Sequence, residues 1–232
     1  MTNEITQPNT TAVAVNKGAS RGFGASVTTH DYVLPRIELL QALSPAVSEG
    51  IGKVGSIVNN ITKEDLGKEV TIIPLKLEKN FIRWFPRQEG GGIMYRTSDA
   101  NDPRVIEDTK WIGKDKPKCT AYLNFLCMVA GQSIPLVASF SMTSYKAGRT
   151  LLTLAKSSGG DLFANKYKLT ARQRQNNFGV FWVYQVDKIG PCTEDEFKMA
   201  ETMYNTFENI EMQFEADGAT ETPTQGAHTE EF

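Results

Sequence analysis

The chain has 232 residues, 40% of them hydrophobic, and a formal net charge of −2; this balance fits a folded core and excludes a wholly disordered chain. No apolar run approaches the roughly 18 residues a membrane helix needs, and the N-terminal stretch lacks the basic and apolar regions of a secretory signal, so no membrane partner is expected. Cys119, Cys127 and Cys192 are odd in number and have no C-x-x-C spacing, which argues against a disulfide framework and, with only His30 and His228 to help, against a zinc site. A cytoplasmic setting is expected.

The near-neutral total conceals two electrostatic halves. Residues 192–232 carry eleven acids against one base, Lys198, while residues 30–191 carry 22 Lys and Arg against 15 Asp and Glu. A basic body joined to an acidic tail points to nucleic-acid binding with a separate interaction segment.

Residues 1–30 are polar and read as a flexible arm. The body spans 31–190. Residues 70–77 (VTIIPLKL) are rich in β-branched side chains and continue into 81–85 as extended chain, followed by a glycine-rich loop tip at 88–92. Residues 99–108 read as a loop beside Pro103. Two apolar strands are expected at 120–129 and 134–141, with a hairpin turn at 130–133. Leu151, Leu152, Leu154 and Ala155 have helical spacing within 143–157, and Gly159 and Gly160 stop that helix. Residues 166–175 and 178–188 are two further strands, joined by a turn at Asn176 and Asn177. Three strands, a helix and two strands is the order of an OB-fold barrel.

After Pro191, Thr193 caps a helix with Glu194, Asp195 and Glu196 in its first turn; Phe197, Met199, Ala200, Met203, Tyr204 and Phe207 mark its packed face. This C-terminal helix occupies 191–214, and the composition of 215–232 is that of a disordered acidic tail. The expected fold class is therefore mainly β with α: an OB-fold-like barrel with one helix between strands, a C-terminal helix and disordered tails.

Four segments carry candidate binding residues. A strand alternates its faces, so Lys166, Lys168, Arg172 and Arg174 share one side of their strand, where a phosphate backbone is a natural partner. In the next strand Phe178, Val180, Trp182 and Tyr184 share one face, and Phe181 and Val183 the other. One face must be core and the other can offer rings to unpaired bases; alternation leaves open which. Arg83, Trp84, Phe85 and Arg87, then Tyr95 and Arg96 across the glycine loop, interleave cations and rings. Lys110, Trp111, Lys114, Lys116 and Lys118 form a cationic loop that is either a clamp or a connector with a buried Trp111. Lys146 and Arg149 add charge at the start of the helix.

No G-x-x-x-x-G-K-[ST] run is present, which excludes a P-loop ATPase, and two histidines in the tails leave little for acid–base catalysis. A non-enzymatic protein without cofactor or metal is expected. The enzyme alternative is a metal-dependent nuclease built on Asp99, Asp102, Glu107 and Asp108.

Glu230, Glu231 and Phe232 close the acidic stretch, and with the barrel-like body they resemble the single-stranded DNA-binding proteins of bacteria and their phage counterparts. Residues 34–184, and most closely 139–158 (SFSMTSYKAGRTLLTLAKSS), are similar to a family of phage single-stranded DNA-binding proteins. The resemblance implies a body that coats single-stranded DNA and a tail that recruits replication or recombination proteins through Glu230, Glu231 and Phe232. Relatives of this pattern can carry paired cysteines ahead of the Trp111 region; here residues 99–103 stand in their place. A recombination mediator or annealing protein is the neighbouring alternative. The opposite charges of tail and body add the expectation that the tail competes with DNA for the body. Oligomeric state stays open.

Overall fold

The computed structural model describes residues 31, 33–86, 88, 90–113, 115–177, 179–210 and 212. The expected arm at 1–30 and tail at 215–232 lie outside the described residues, His30 included.

The run 69–84 forms one long strand, β4 (Glu69–Trp84), on which the rest is assembled. Before it come β1 (Arg36–Leu39), the short helix α1 (Pro45–Ser48), β2 (Ile57–Asn59) and β3 (Asp65–Gly67). After it follow β5 (Ile93–Thr97), α2 (Pro103–Asp108), β6 (Cys119–Val129), β7 (Leu136–Phe140), α3 (Tyr145–Ser158), β8 (Asn165–Asn176), β9 (Gly179–Pro191) and α4 (Glu194–Phe207). The sheet runs β3-β2-β1-β7-β6-β4-β8-β9, with β5 also paired to β4. All neighbours are antiparallel except β1 beside β7.

The sheet curls strongly into a half-barrel, mostly β with a few helices. The expected three strands, helix and two strands are β4, β6, β7, α3, β8 and β9. Strand β4 pairs with β8 through residues 69–72 and with β6 through 72–83, so its two ends serve different sides of the curl. Pro74 has no N–H to give the ladder, and the β4–β6 register shifts between Pro74 and Lys76.

Both faces of β6 are covered, which is why it is apolar along most of its length. Leu123, Phe125, Cys127 and Val129 point into the main core inside the curl, with Tyr167, Leu169, Tyr184 and Val186. Helix α3 closes that core through Ala147 and Leu151. It approaches β7 closely because residue 148 is glycine: a Cβ there would lie 2.7 Å from the Phe140 Cβ. On the outer face, Leu126, Met128 and Val137 are covered by Ala200 and Phe207 of α4 and by Ile210 and Met212 beyond it.

Several expectations change. Residues 103–108 form helix α2 rather than loop: Asp102 caps it by accepting from the Arg104 N–H, and Pro103 takes the first helical position. Strands β1, β2, β3 and β5 add to the expected barrel. Met199, expected on the packed face of α4, is exposed.

Candidate nucleic-acid interface

The β8–β9 hairpin sets the interface. Its register pairs Arg172 with Val183 and Arg174 with Phe181, so both arginines stand on one face with Phe181 and Val183. The opposite face holds Leu169 and Ala171 with Val186 and Tyr184 in the core. Helix α3 begins beside this hairpin, and between them lies an open groove of about 480 Å3 lined by Thr143, Lys146, Thr150, Arg172, Arg174, Phe181 and Val183. Among the described residues lining it there is no Asp or Glu. The first turn of α3 also carries no acid, so the positive end of its backbone dipole adds to Lys146. Arg172 is oriented by donating from Nε to Gln185 Oε1 at 3.2 Å.

The four cations of the β8 face do not act alike. Lys166 is ion-paired with Glu196 of α4 at 2.8 Å and Lys168 with Glu69 of β4 at 3.2 Å. Their charge is met internally, and the end of the expected row that faces the groove is Arg172 and Arg174. Arg149 is exposed on α3 outside the groove lining.

The rings change place as well. Trp182, expected as a stacking platform, packs against the main core. Gly55 fits against one side of the indole: its φ is +84°, and a Cβ there would come within 2.7 Å of the ring. The Gln41 amide brackets the Trp182 backbone, accepting from its N–H at 2.9 Å and donating to its carbonyl at 3.0 Å. Phe181, on the other of the two faces that alternation left open, lines the groove, with the Tyr184 ring also at its wall. The signal for it is the parity of β9 once Tyr184 is assigned to the core.

The segment around β5 forms a separate network. Arg83 donates to both carboxylate oxygens of Asp108, at 2.9 and 2.7 Å, and the Tyr95 hydroxyl donates to Asp108 Oδ2 at 2.8 Å. Burial pushes the Asp108 carboxyl up, but the hydrogen bonds from Tyr95 and Arg83 outweigh it and hold the group below the ordinary carboxylate range. Burial and the adjoining Asp108 push the Tyr95 hydroxyl well above its usual value. Arg104 stacks over the Tyr95 ring at 4.7 Å. Arg83 and Tyr95, which the sequence offered for nucleic acid, are thus both engaged with Asp108. Arg96 donates to the Met212 carbonyl at 2.7 Å and anchors the segment after α4. Trp84 is half-buried and Phe85 is exposed at the end of β4.

The carboxylates considered for a metal are engaged: Asp102 caps α2 and pairs with Arg104, Asp108 holds Arg83, Glu107 pairs with Lys110, and Asp99 accepts from the Asn101 N–H. Trp111, by contrast, is 67% exposed on the cationic loop, which removes the buried-connector reading. Arg87, Lys114, Phe178, Glu230, Glu231 and Phe232 lie outside the described residues.

No helix of the described residues is long and apolar enough to cross a membrane. A family model described as Pam3 phage gp34-like protein matches residues 4–213. No curated protein and no solved structure matches the chain.

Proposed function

We propose that this chain, which belongs to the Pam3 phage gp34-like protein family, is a sequence-independent single-stranded DNA-binding protein of phage DNA replication or recombination, acting without catalysis in the host cytoplasm. The observation that carries the reading is the groove between α3 and β9, lined by Lys146, Arg172, Arg174 and Phe181, with no acid among the described residues that line it. Cations along such a groove follow phosphates, and a ring at its wall stacks on any base, so affinity does not depend on sequence.

In OB-fold barrels the oligonucleotide lies on the face of the second and third strands, between the first-to-second and fourth-to-fifth connections. Here the corresponding outer face of β6 and β7 is covered by α4 and by Ile210 and Met212, so the reading rests on the cationic groove beside β9 instead. The two flanking connections still offer a ring and a cation: exposed Trp111 lies between β4 and β6, and Arg174 stands near the β8–β9 turn. The acidic residues from 192 onward, with Glu230, Glu231 and Phe232, are assigned to recruitment of replication or recombination proteins.

Anisotropy titration of a labelled oligo-dT at several salt concentrations tests this. The full chain is expected to bind tightly with a steep salt dependence. Arg172→Glu with Arg174→Glu should weaken binding by about tenfold or more and flatten the salt slope by about 0.7 for each phosphate left without its cation. Absence of binding at low salt, both by the full chain and by one lacking residues 215–232, would overturn the reading.

A further inference from the structure

The tight turn between β7 and α3 carries a feature that the core does not require. Met142 has a φ of +44°, a left-handed conformation that costs a side chain other than Gly, Asn or Asp. It is also 75% exposed, so burial of its side chain does not repay the strain. The turn around it is firmly held: Ser144 Oγ accepts from the Ser141 N–H at 3.1 Å and donates to the Ser141 carbonyl at 2.9 Å. A glycine or asparagine would make this turn with less strain. Strain kept at an exposed apolar residue points to use of the side chain.

Its position says what that use is. Thr143, the next residue, lines both the α3–β9 groove and a second hollow of about 200 Å3 bounded by Arg36 and Glu38 of β1, Ser139, Gln41 and Trp182. Tyr184 is the other wall shared by the two hollows. The turn is thus the ridge between them, with Met142 beside its crest. Ser139 lines the second hollow, although its Oγ is itself buried.

We propose that Met142 is an apolar wedge that inserts between neighbouring bases of a bound single strand as the strand crosses from the α3–β9 groove into the hollow beside β1. The inference rests on the single-strand-binding reading and adds a residue, a path and a local distortion to it. Methionine fits such a role because it is unbranched and polarisable and packs well on flat π-faces. Apolar side chains of this kind part stacked bases elsewhere in nucleic-acid recognition. Separating adjacent bases at one point lets one base face Phe181 and the next enter the hollow.

The test uses the full chain and an oligonucleotide with 2-aminopurine flanked by adenines, reading anisotropy for affinity and 2-aminopurine fluorescence for unstacking. The unchanged chain should bind and brighten the probe. Met142→Asn, which tolerates the left-handed backbone, should fold with an equal or higher melting temperature, bind about fivefold or more weakly and lose the brightening. Met142→Leu, which keeps the apolar bulk, should retain both signals. If the unchanged chain binds while Met142→Asn matches it in affinity and fluorescence, the wedge is overturned and the binding function stands. If the unchanged chain does not bind, the binding function itself fails and the wedge with it.

Discussion

At the scale of single residues, the arginines divide by the partner each has found. Arg172 and Arg174 stand over an open groove, whereas Arg83 is held by Asp108, whose side chain is 8% exposed. Removing one member of such a pair leaves the other charge without compensation, so Asp108→Asn should cost about 2–4 kcal/mol at neutral pH. The effect of pH has a definite sign. A carboxyl held below its ordinary value of 3.8 contributes stability that is complete above that value and is lost as pH falls through the lowered one. The parent chain therefore loses this contribution in acid and the variant has none to lose. Urea unfolding at pH 7 and near pH 3 should show the gap between the two chains narrowing on acidification. An unchanged gap would mean that the Arg83–Asp108 charge pair is not its source.

At the scale of elements, α4 shows how a local signal and a long-range contact reinforce each other. Thr193 Oγ1 accepts from the Glu196 N–H, and Glu196 accepts from the Thr193 N–H at 2.8 Å, a reciprocal cap. Lys166 of β8 donates to the same carboxylate, chiefly accounting for its lowered pKa. Thr193→Ala should cost about 1 kcal/mol, and a melting scan should register a fall of about 2–4 °C; no shift would mean that packing of Phe207 and Ala200 alone holds the helix. Elements of this kind were legible in the sequence. Strands β4, β6, β8 and β9 and helices α3 and α4 are long enough for periodicity to show, and their caps and stops are explicit. Strands β1, β2, β3 and β5 are three to five residues long and exist through their neighbours, so no local pattern announces them. Helix α2 was hidden for another reason: Asp102 and Pro103 read as a turn, although Asp before Pro is also the start signal of a helix. The interface was half legible. Parity placed Arg172 and Arg174 together, but neutralisation of Lys168 by Glu69 joins residues far apart in sequence, and the strain at Met142 leaves no mark in the sequence at all.

At the scale of the whole molecule, charge is segregated along the chain and the fold preserves that order in space. The acid-rich segment enters through α4, which lies on the outer face of β6 and β7, and residues just beyond it are fixed there: Lys76 Nζ donates to the Ile210 carbonyl at 2.9 Å, and Met212 is buried. Five further carboxylates and no Lys or Arg follow in residues 215–232. On the proposed function, these carboxylates, joined by the chain to a body whose groove is lined by Lys146, Arg172 and Arg174, are expected to compete at low salt with phosphate for the same charges. Deleting 215–232 should raise affinity for oligo-dT severalfold at low ionic strength. The gain should shrink as salt shortens the range of the repulsion, to about 10 Å at 0.1 M. The truncated chain should accordingly show a steeper salt dependence than the full chain in parallel titrations. Equal affinities and equal slopes would mean that the acidic segment does not reach the groove, and would leave recruitment of partner proteins as its role.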